Sequence, residues 1–206
     1  MHVDLSFRLR GEELPLDHGY ALYGAVSREL PEVHQEDNGW GIHPVYGSRI
    51  RPGVLGLNDG SRLKIRMPGE EIDRALDLAG SRLDVDGYNL RVGVPEVRPL
   101  EPVPTLKSRY VTIKGYMEPE EFQDAVWRQV DELDGVSAGE PELLIGDRRV
   151  MEIDGYTIVG FRVLIGDLEP NTSLAIQRSG VGGRRKMGAG IFRPADDLEL
   201  EGSGSE

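Results

Sequence analysis

Cysteine is absent from all 206 positions, which excludes disulfides and thiolate metal sites. No apolar run is long enough to cross a bilayer. The opening Met1-His2-Val3-Asp4 lacks the charged and apolar regions of a secretory signal. The expectation is a cytoplasmic protein with no membrane partner. Histidine is scarce: His2, His18, His34 and His43 are the four present, so imidazole chemistry is confined to few places. Cations are outnumbered, with 24 Lys and Arg against 36 Asp and Glu and a net charge of −12. That balance argues against a general nucleic-acid binder, because phosphate contacts dominate such affinity.

What cations there are cluster. From Pro170 to Ala195 there are five (Arg178, Arg184, Arg185, Lys186, Arg193) and no acid; from Asp196 to Glu206 there are five acids and no cation. Within this stretch Gly180, Gly182, Gly183, Gly188 and Gly190 surround Arg184-Arg185-Lys186. Glycine allows positive φ and close backbone approach, and successive backbone N–H groups can form an anion cradle. Arginine and lysine add charge. Nucleotide motifs fail here. Lys186 is followed by Met187 instead of Ser or Thr, and Gly180-x-Gly182 and Gly188-x-Gly190 lead to Arg185 and Arg193 where a third glycine belongs. A long basic glycine loop suits an extended polyphosphate such as RNA. The plainer alternative is a glycine hairpin with solvated charges.

Periodicity outlines an α+β chain. Val3 to Arg10 alternates apolar and polar residues, a half-buried strand. Asp17 is placed to cap a helix reaching Leu30, and Gly41 to Gly47 reads as a short strand. Arg62 to Met67 alternates again, Pro68 to Ala79 reads as a second helix, and Arg82 to Val97 holds strands around Asp86-Gly87. The order is β-α-β-β-α-β, the ferredoxin-like arrangement. Four prolines between Pro95 and Pro104 suggest a linker. The pattern then recurs: strand Tyr110–Lys114, helix Glu118–Leu133, a hairpin of Leu143–Val150 and Tyr156–Ile165, a short helix Pro170–Gln177 capped near Asn171 or Thr172, and strand Ala189–Phe192. The expected organisation is two tandem ferredoxin-like βαββαβ halves, residues 1–100 and 105–195, with a C-terminal glycine-rich loop. An acidic, disordered tail covers 196–206, ending in the linker-like Gly202-Ser203-Gly204-Ser205.

Over about Val3 to Pro194 the chain resembles the CRISPR-associated endoribonucleases of the RAMP superfamily, in the branch named for a Myxococcus subtype. The resemblance is carried by 15–23 (PLDHGYALY), 30–34 (LPEVH), 41–45 (GIHPV), 106–115 (LKSRYVTIKG) and the glycine loop before a short last strand. Ala189 stands where the branch carries a cysteine. The resemblance implies two RAMP (RRM-like) folds and cleavage of precursor crRNA within the CRISPR repeat, without metal or other cofactor. It also implies retention of the crRNA product and association with subunits of a type I effector complex. The alternative is a non-cleaving crRNA-binding subunit.

Metal-free RNA cleavage by the RNA's own 2′-OH needs a base, an acid and a cation on the phosphorane, with attack in line. Histidine suits the proton transfers. The resemblance places the general acid or base at His34, just after the first helix, and a phosphate- or ribose-contacting tyrosine at Tyr23. His43 is the second candidate, as catalytic group or phosphate contact. His18, beside the presumed cap, reads as a packing residue. Members of the family add a lysine shortly after the histidine; none lies between His34 and Arg49. Protonated His43, or Arg49 or Arg51, is the expected substitute. RNA contacts are expected from Gly180, Gly182, Gly183, Arg184, Arg185, Lys186, Gly188 and Gly190. Lys107, Arg109 and Lys114 join them, with Lys107 and Arg109 sharing a strand face. Arg148 and Arg149 are weaker candidates, since Asp147 and Glu152 are available to pair with them.

Overall fold

A computed structural model describes residues 1–35, 39–136 and 141–195. The acidic tail expected at 196–206 lies outside the described residues. Two compact units emerge. The first comprises Met1–Leu100, Met151–Ile158 and Arg184–Gly188; the second comprises Glu101–Val150, Val159–Gly183 and the residues from Ala189 onward.

In the first unit β1 (His2–Arg10) turns Val3, Leu5, Phe7 and Leu9 inward, each 5% exposed or less. It pairs antiparallel with β6 (Arg62–Pro68) and with β8 (Tyr88–Pro99). With β3 (Gly41–Ile42) and β7 (Arg82–Val85) the sheet order is β3-β6-β1-β8-β7. Leaving out the extra edge strand β7, this is the ferredoxin-like order, with the first strand between the third and fourth. A separate small sheet joins β2 (Glu13–Pro15), β5 (Val54–Gly56) and β4 (Ser48–Arg51). Helix α1 (Gly19–Glu29) buries Leu22, Ala25 and Val26, three positions of one face. Asp17 does not cap it: His18 is at the N-cap, and the Asp17 carboxylate accepts from Glu152 N at 2.9 Å.

The second expected helix is broken. A 3-10 turn (Gly69–Glu71), α2 (Ile72–Ala75) and another 3-10 turn (Leu76–Leu78) replace it. Only Ala75 and Leu78 among these residues are buried, so little apolar surface rewards a continuous helix. The β7–β8 turn follows its residues: Asp86 and Gly87 take φ of 54° and 84°, the pair of positive angles a tight hairpin needs. The segment from Pro95 to Pro99, expected as linker, continues β8 against β1.

The second unit holds β9 (Leu106–Val111), α3 (Pro119–Asp131), β10 (Glu142–Ile153), β11 (Tyr156–Gly166), α4 (Pro170–Ser179) and β12 (Arg193–Pro194). Sheet order β10-β11-β9-β12 is again ferredoxin-like. Phe122, Ala125, Val126 and Val130 of α3 form its buried stripe, and the Phe122 and Phe161 rings lie 4.7 Å apart. Helix α4 has Glu169 at the N-cap, earlier than the Asn171 or Thr172 expected, with Pro170 in the first turn. Ala189–Phe192 is not a strand. Gly190 has φ of 66°, which breaks extended backbone, and pairing resumes only at Arg193.

Candidate functional site

Helix α1 and the 3-10 turn after it build the center of the site. Pro31 opens the turn Pro31–His34, whose buried Val33 anchors it. The reversal brings His34 back over α1, where Tyr23 Oη and His34 Nδ1 are 2.8 Å apart. The two rings meet edge to face, with centroids 5.4 Å apart at 80°. His34 is exposed and Tyr23 half-buried against the core, while Tyr20 is 40% exposed. One imidazole nitrogen, Nδ1, is therefore held by a phenol, and Nε2 lies outside that contact. When Nδ1–H donates to the phenol oxygen, Nε2 presents a lone pair.

The other two histidines of the region are buried. His18 is 2% exposed; its Nδ1–H donates to Pro15 O at 2.8 Å, and its Nε2 accepts from Val45 N at 2.9 Å. His43 is 3% exposed, with Nε2 3.3 Å from Asp4 Oδ1. Burial pushes the His43 ring below its usual pKa, the hydrogen bond to Asp4 opposes this, and nearby Arg66 adds to the lowering. Its Nε2–H donates to the Asp4 carboxylate. This enclosure differs from the protonated, phosphate-facing His43 expected as substitute cation. Arg51 is engaged as well, in a two-point contact with Glu13 at 2.7 and 2.6 Å. Arg49 lies exposed on β4.

Asp4 and Arg66 carried no sequence signal as a pair, being 62 residues apart. Arg66 is 1% exposed and grips Asp4 through Nε at 2.7 Å and Nη2 at 2.9 Å. Burial alone would raise the Asp4 carboxyl; contacts from His43 and Arg66 outweigh it and hold the group well below the usual carboxylate range.

The glycine loop differs from the expected backbone cradle. The amides of Gly180, Gly182, Gly183, Gly188 and Gly190 donate to Ile176 O, Gln129 Oε1, Thr112 O, Arg185 O and Tyr110 O. Those amides shape the loop and hold no anion. Glycine is required by close approach: a Cβ on Gly182 would sit 2.4 Å from Thr112 O, and one on Gly190 2.3 Å from Val181 O. Residues 184–188 belong to the same unit as Tyr23 and His34. There Arg184, at φ 63°, is exposed, and a 3-10 turn covers Arg185–Met187. Arg185 points inward, where burial and Arg66 lower its pKa to about 10. Lys186 Nζ donates to Gln35 O.

In the second unit Lys107, expected as an RNA contact, is 7% exposed on β9, an internal strand. Arg109 is half-buried and Lys114 exposed. Arg149 has Arg109 and Arg162 near it: burial first, then these two neighbors, depress its guanidinium. Asp147 is shared, 3.3 Å from Arg162 and 3.8 Å from Arg149. Glu152, the other expected partner, receives Thr157 Oγ1 at 2.6 Å.

A basic surface in the first unit escaped the sequence reading. Across the sheet Arg8 stands opposite Arg62, and Arg91 stands opposite both Arg10 and Arg82. Arg8, Arg10, Arg62 and Arg91 line one groove of about 700 Å³, with Glu96 also on its wall. Like charges directly opposed cost stability. Alternation in β1 hints at Arg8 and Arg10, but their cross-strand partners depend on register.

Residues 3–197 match the model of the Cas6 family, described as Cas6 Crispr. The chain is 38% identical over 192 residues to the CRISPR-associated endonuclease Cas6 of Myxococcus xanthus strain DK1622, covering 93% of this chain and 81% of that protein. Among solved structures, one of a Cas6-related gene product from Pyrococcus furiosus aligns with a TM-score of 0.68 at 13% identity, over 96% of this chain and 100% of that one. A RAMP protein binding different RNA substrates aligns with a TM-score of 0.69 at 15% identity, over 95% and 100%. At these identities the two structures speak for the fold.

Proposed function

The chain belongs to the Cas6 family, and from that premise we propose that it is an endoribonuclease cutting precursor crRNA within the CRISPR repeat, without metal, in the cytoplasm. The observation that carries the reading is the Tyr23–His34 pair, 2.8 Å apart with His34 exposed, on a unit that also holds the cationic turn 184–188. His34 Nε2 takes the proton of the 2′-OH. The 2′-oxygen bonds to phosphorus as the bond to the 5′-oxygen breaks, and the departing 5′-oxygen takes a proton from water, the hydroxide left being neutralized by the proton that His34 gained. The products are a 2′,3′-cyclic phosphate and a 5′-OH. Tyr23 holds the ring in place and sets which nitrogen faces the RNA. Burial gives His43 a supporting part: with Asp4 and Arg66 it steadies β1, β3 and β6 beneath the site.

Binding falls to Arg184 in the loop, to the Arg109, Arg149 and Arg162 cluster with Lys114, and to the arginine-lined groove. Each is a concentration of positive charge on an acidic chain. Such local patches favor one seated RNA over bulk polyanion.

The test is a transcript of the repeat array neighboring the gene, incubated with excess protein in EDTA. Cleavage at one position per repeat is expected, blocked by 2′-deoxy substitution at the scissile nucleotide. His34→Ala should lose about 10²- to 10⁴-fold in rate, the range for one acid-base group, and keep its affinity for the 2′-deoxy RNA. Cutting of the 2′-deoxy RNA at the normal rate refutes the mechanism. Tight binding with no product from the wild type favors the non-cleaving subunit.

A further inference from the structure

Attack by a 2′-OH builds negative charge on the nonbridging oxygens of the phosphorane, and a fixed cation there lowers the barrier. His34 moves a proton and Tyr23 positions its ring, but neither supplies a permanent positive charge. His43 is 3% exposed and held against Asp4, and Arg51 is bound to Glu13.

By composition the three consecutive loop cations form one patch, yet each has its own environment. Arg184 is exposed, and Arg185 turns inward beside Arg66. Lys186 reaches the carbonyl of Gln35, the residue after His34, across 151 positions of sequence. Its carrier is held rigidly. Met187 N donates to Arg184 O at 2.8 Å and Gly188 N to Arg185 O at 3.2 Å, closing the turn. The turn lies directly on α1: a Cβ on Gly19 would be 2.2 Å from Met187 O. Its far end abuts Pro44, 3.3 Å from a Cβ on Gly188. A lysine on a fixed turn, tied to the neighbor of the proton-transfer residue, is placed for chemistry.

We infer that Lys186 is a catalytic residue, whose ammonium moves from the Gln35 carbonyl to a nonbridging oxygen of the scissile phosphate and stabilizes the phosphorane. A hydrogen bond to an anionic oxygen is roughly twice as strong as one to a neutral carbonyl, which favors the phosphate over the Gln35 carbonyl. No proton is transferred by Lys186. The inference rests on the endoribonuclease reading above and adds the cation that reading leaves unnamed.

The experiment is single-turnover cleavage of the repeat transcript at saturating protein, with affinity measured separately on the 2′-deoxy RNA. Lys186→Ala should lower the rate about 10²- to 10³-fold, as for removal of one transition-state donor, while weakening affinity by no more than about tenfold. Lys186→Arg should recover much of the rate. The chain has no cysteine, so Lys186→Cys offers one thiol, and alkylation with 2-bromoethylamine rebuilds a lysine analogue there. Alkylation should restore cleavage by at least tenfold without changing the melting temperature. The inference is overturned if Lys186→Ala cuts within threefold of wild type at saturation. It is equally overturned if the Lys186→Cys protein is as slow after alkylation as before it. A wild type that never cuts the repeat overturns the endoribonuclease reading, and this inference with it.

Discussion

At the scale of single residues, burial separates two histidines that look alike in sequence. His34 and His43 both follow the first helix, but His34 is exposed beside Tyr23, whereas His43 is enclosed with Asp4 and Arg66. The enclosed pair gives a pH signature. His43 has a folded pKa below its unfolded value, so its contribution to stability is present above about 6.5 and is lost as pH falls toward the folded pKa. Asp4 is also depressed; its contribution is present above about 3.9 and erodes below that. In both windows the unfolded chain binds more protons, so stability rises with pH. The melting temperature should therefore fall between pH 7 and 5, and His43→Asn should flatten that part of the profile. An unchanged profile in the variant would mean that His43 is not buried neutral. Asp4→Asn removes the carboxylate that buried Arg66 grips through Nε and Nη2 and is expected to cost about 3–5 kcal/mol, measured by chemical denaturation.

At the scale of elements, the glycine loop is a shaped structure whose tip is delivered onto α1. Gly19 is the critical fit, because any side chain there meets Met187 O at 2.2 Å. Gly19→Ala removes no charge and no proton-transfer group. It should nevertheless cut the cleavage rate about 100-fold, the cost of a displacement near 1 Å, with helix content preserved by circular dichroism. Full activity in this variant would show that the turn is free to move without consequence. Much of this level was legible beforehand. Alternation in 3–10 and 62–67, helical spacing in 118–133 and the Asp86-Gly87 turn each specify an element through local backbone preference. The failures have local reasons too. Residues 68–79 lack the apolar stripe to sustain one helix, and positive φ at Gly190 stops the expected strand.

At the scale of the whole molecule, a chain of net charge −12 concentrates arginines in opposed pairs on one sheet. Such pairing weakens the fold by about 0.2–1 kcal/mol per opposed pair and gains only when an anion is seated. Replacing Arg8, Arg10, Arg62 and Arg91 with Gln should raise the melting temperature and weaken repeat binding. The slope of log affinity against log salt should flatten by about 0.7 per lost contact. An unaltered slope would remove this groove from the RNA path. The sequence by itself determined the two-fold recurrence of β-α-β-β-α-β and the position of the basic glycine loop, which rest on periodicity and composition, and the candidacy of His34, which rests on the family resemblance of its segment. Tertiary structure alone decided that His43 is sealed against Asp4, that the loop amides are spent inside the protein, that Lys186 meets the neighbor of His34, and that arginines face one another across strands. Each of these is a contact between residues far apart in the chain, set by strand register and packing, which no local pattern encodes.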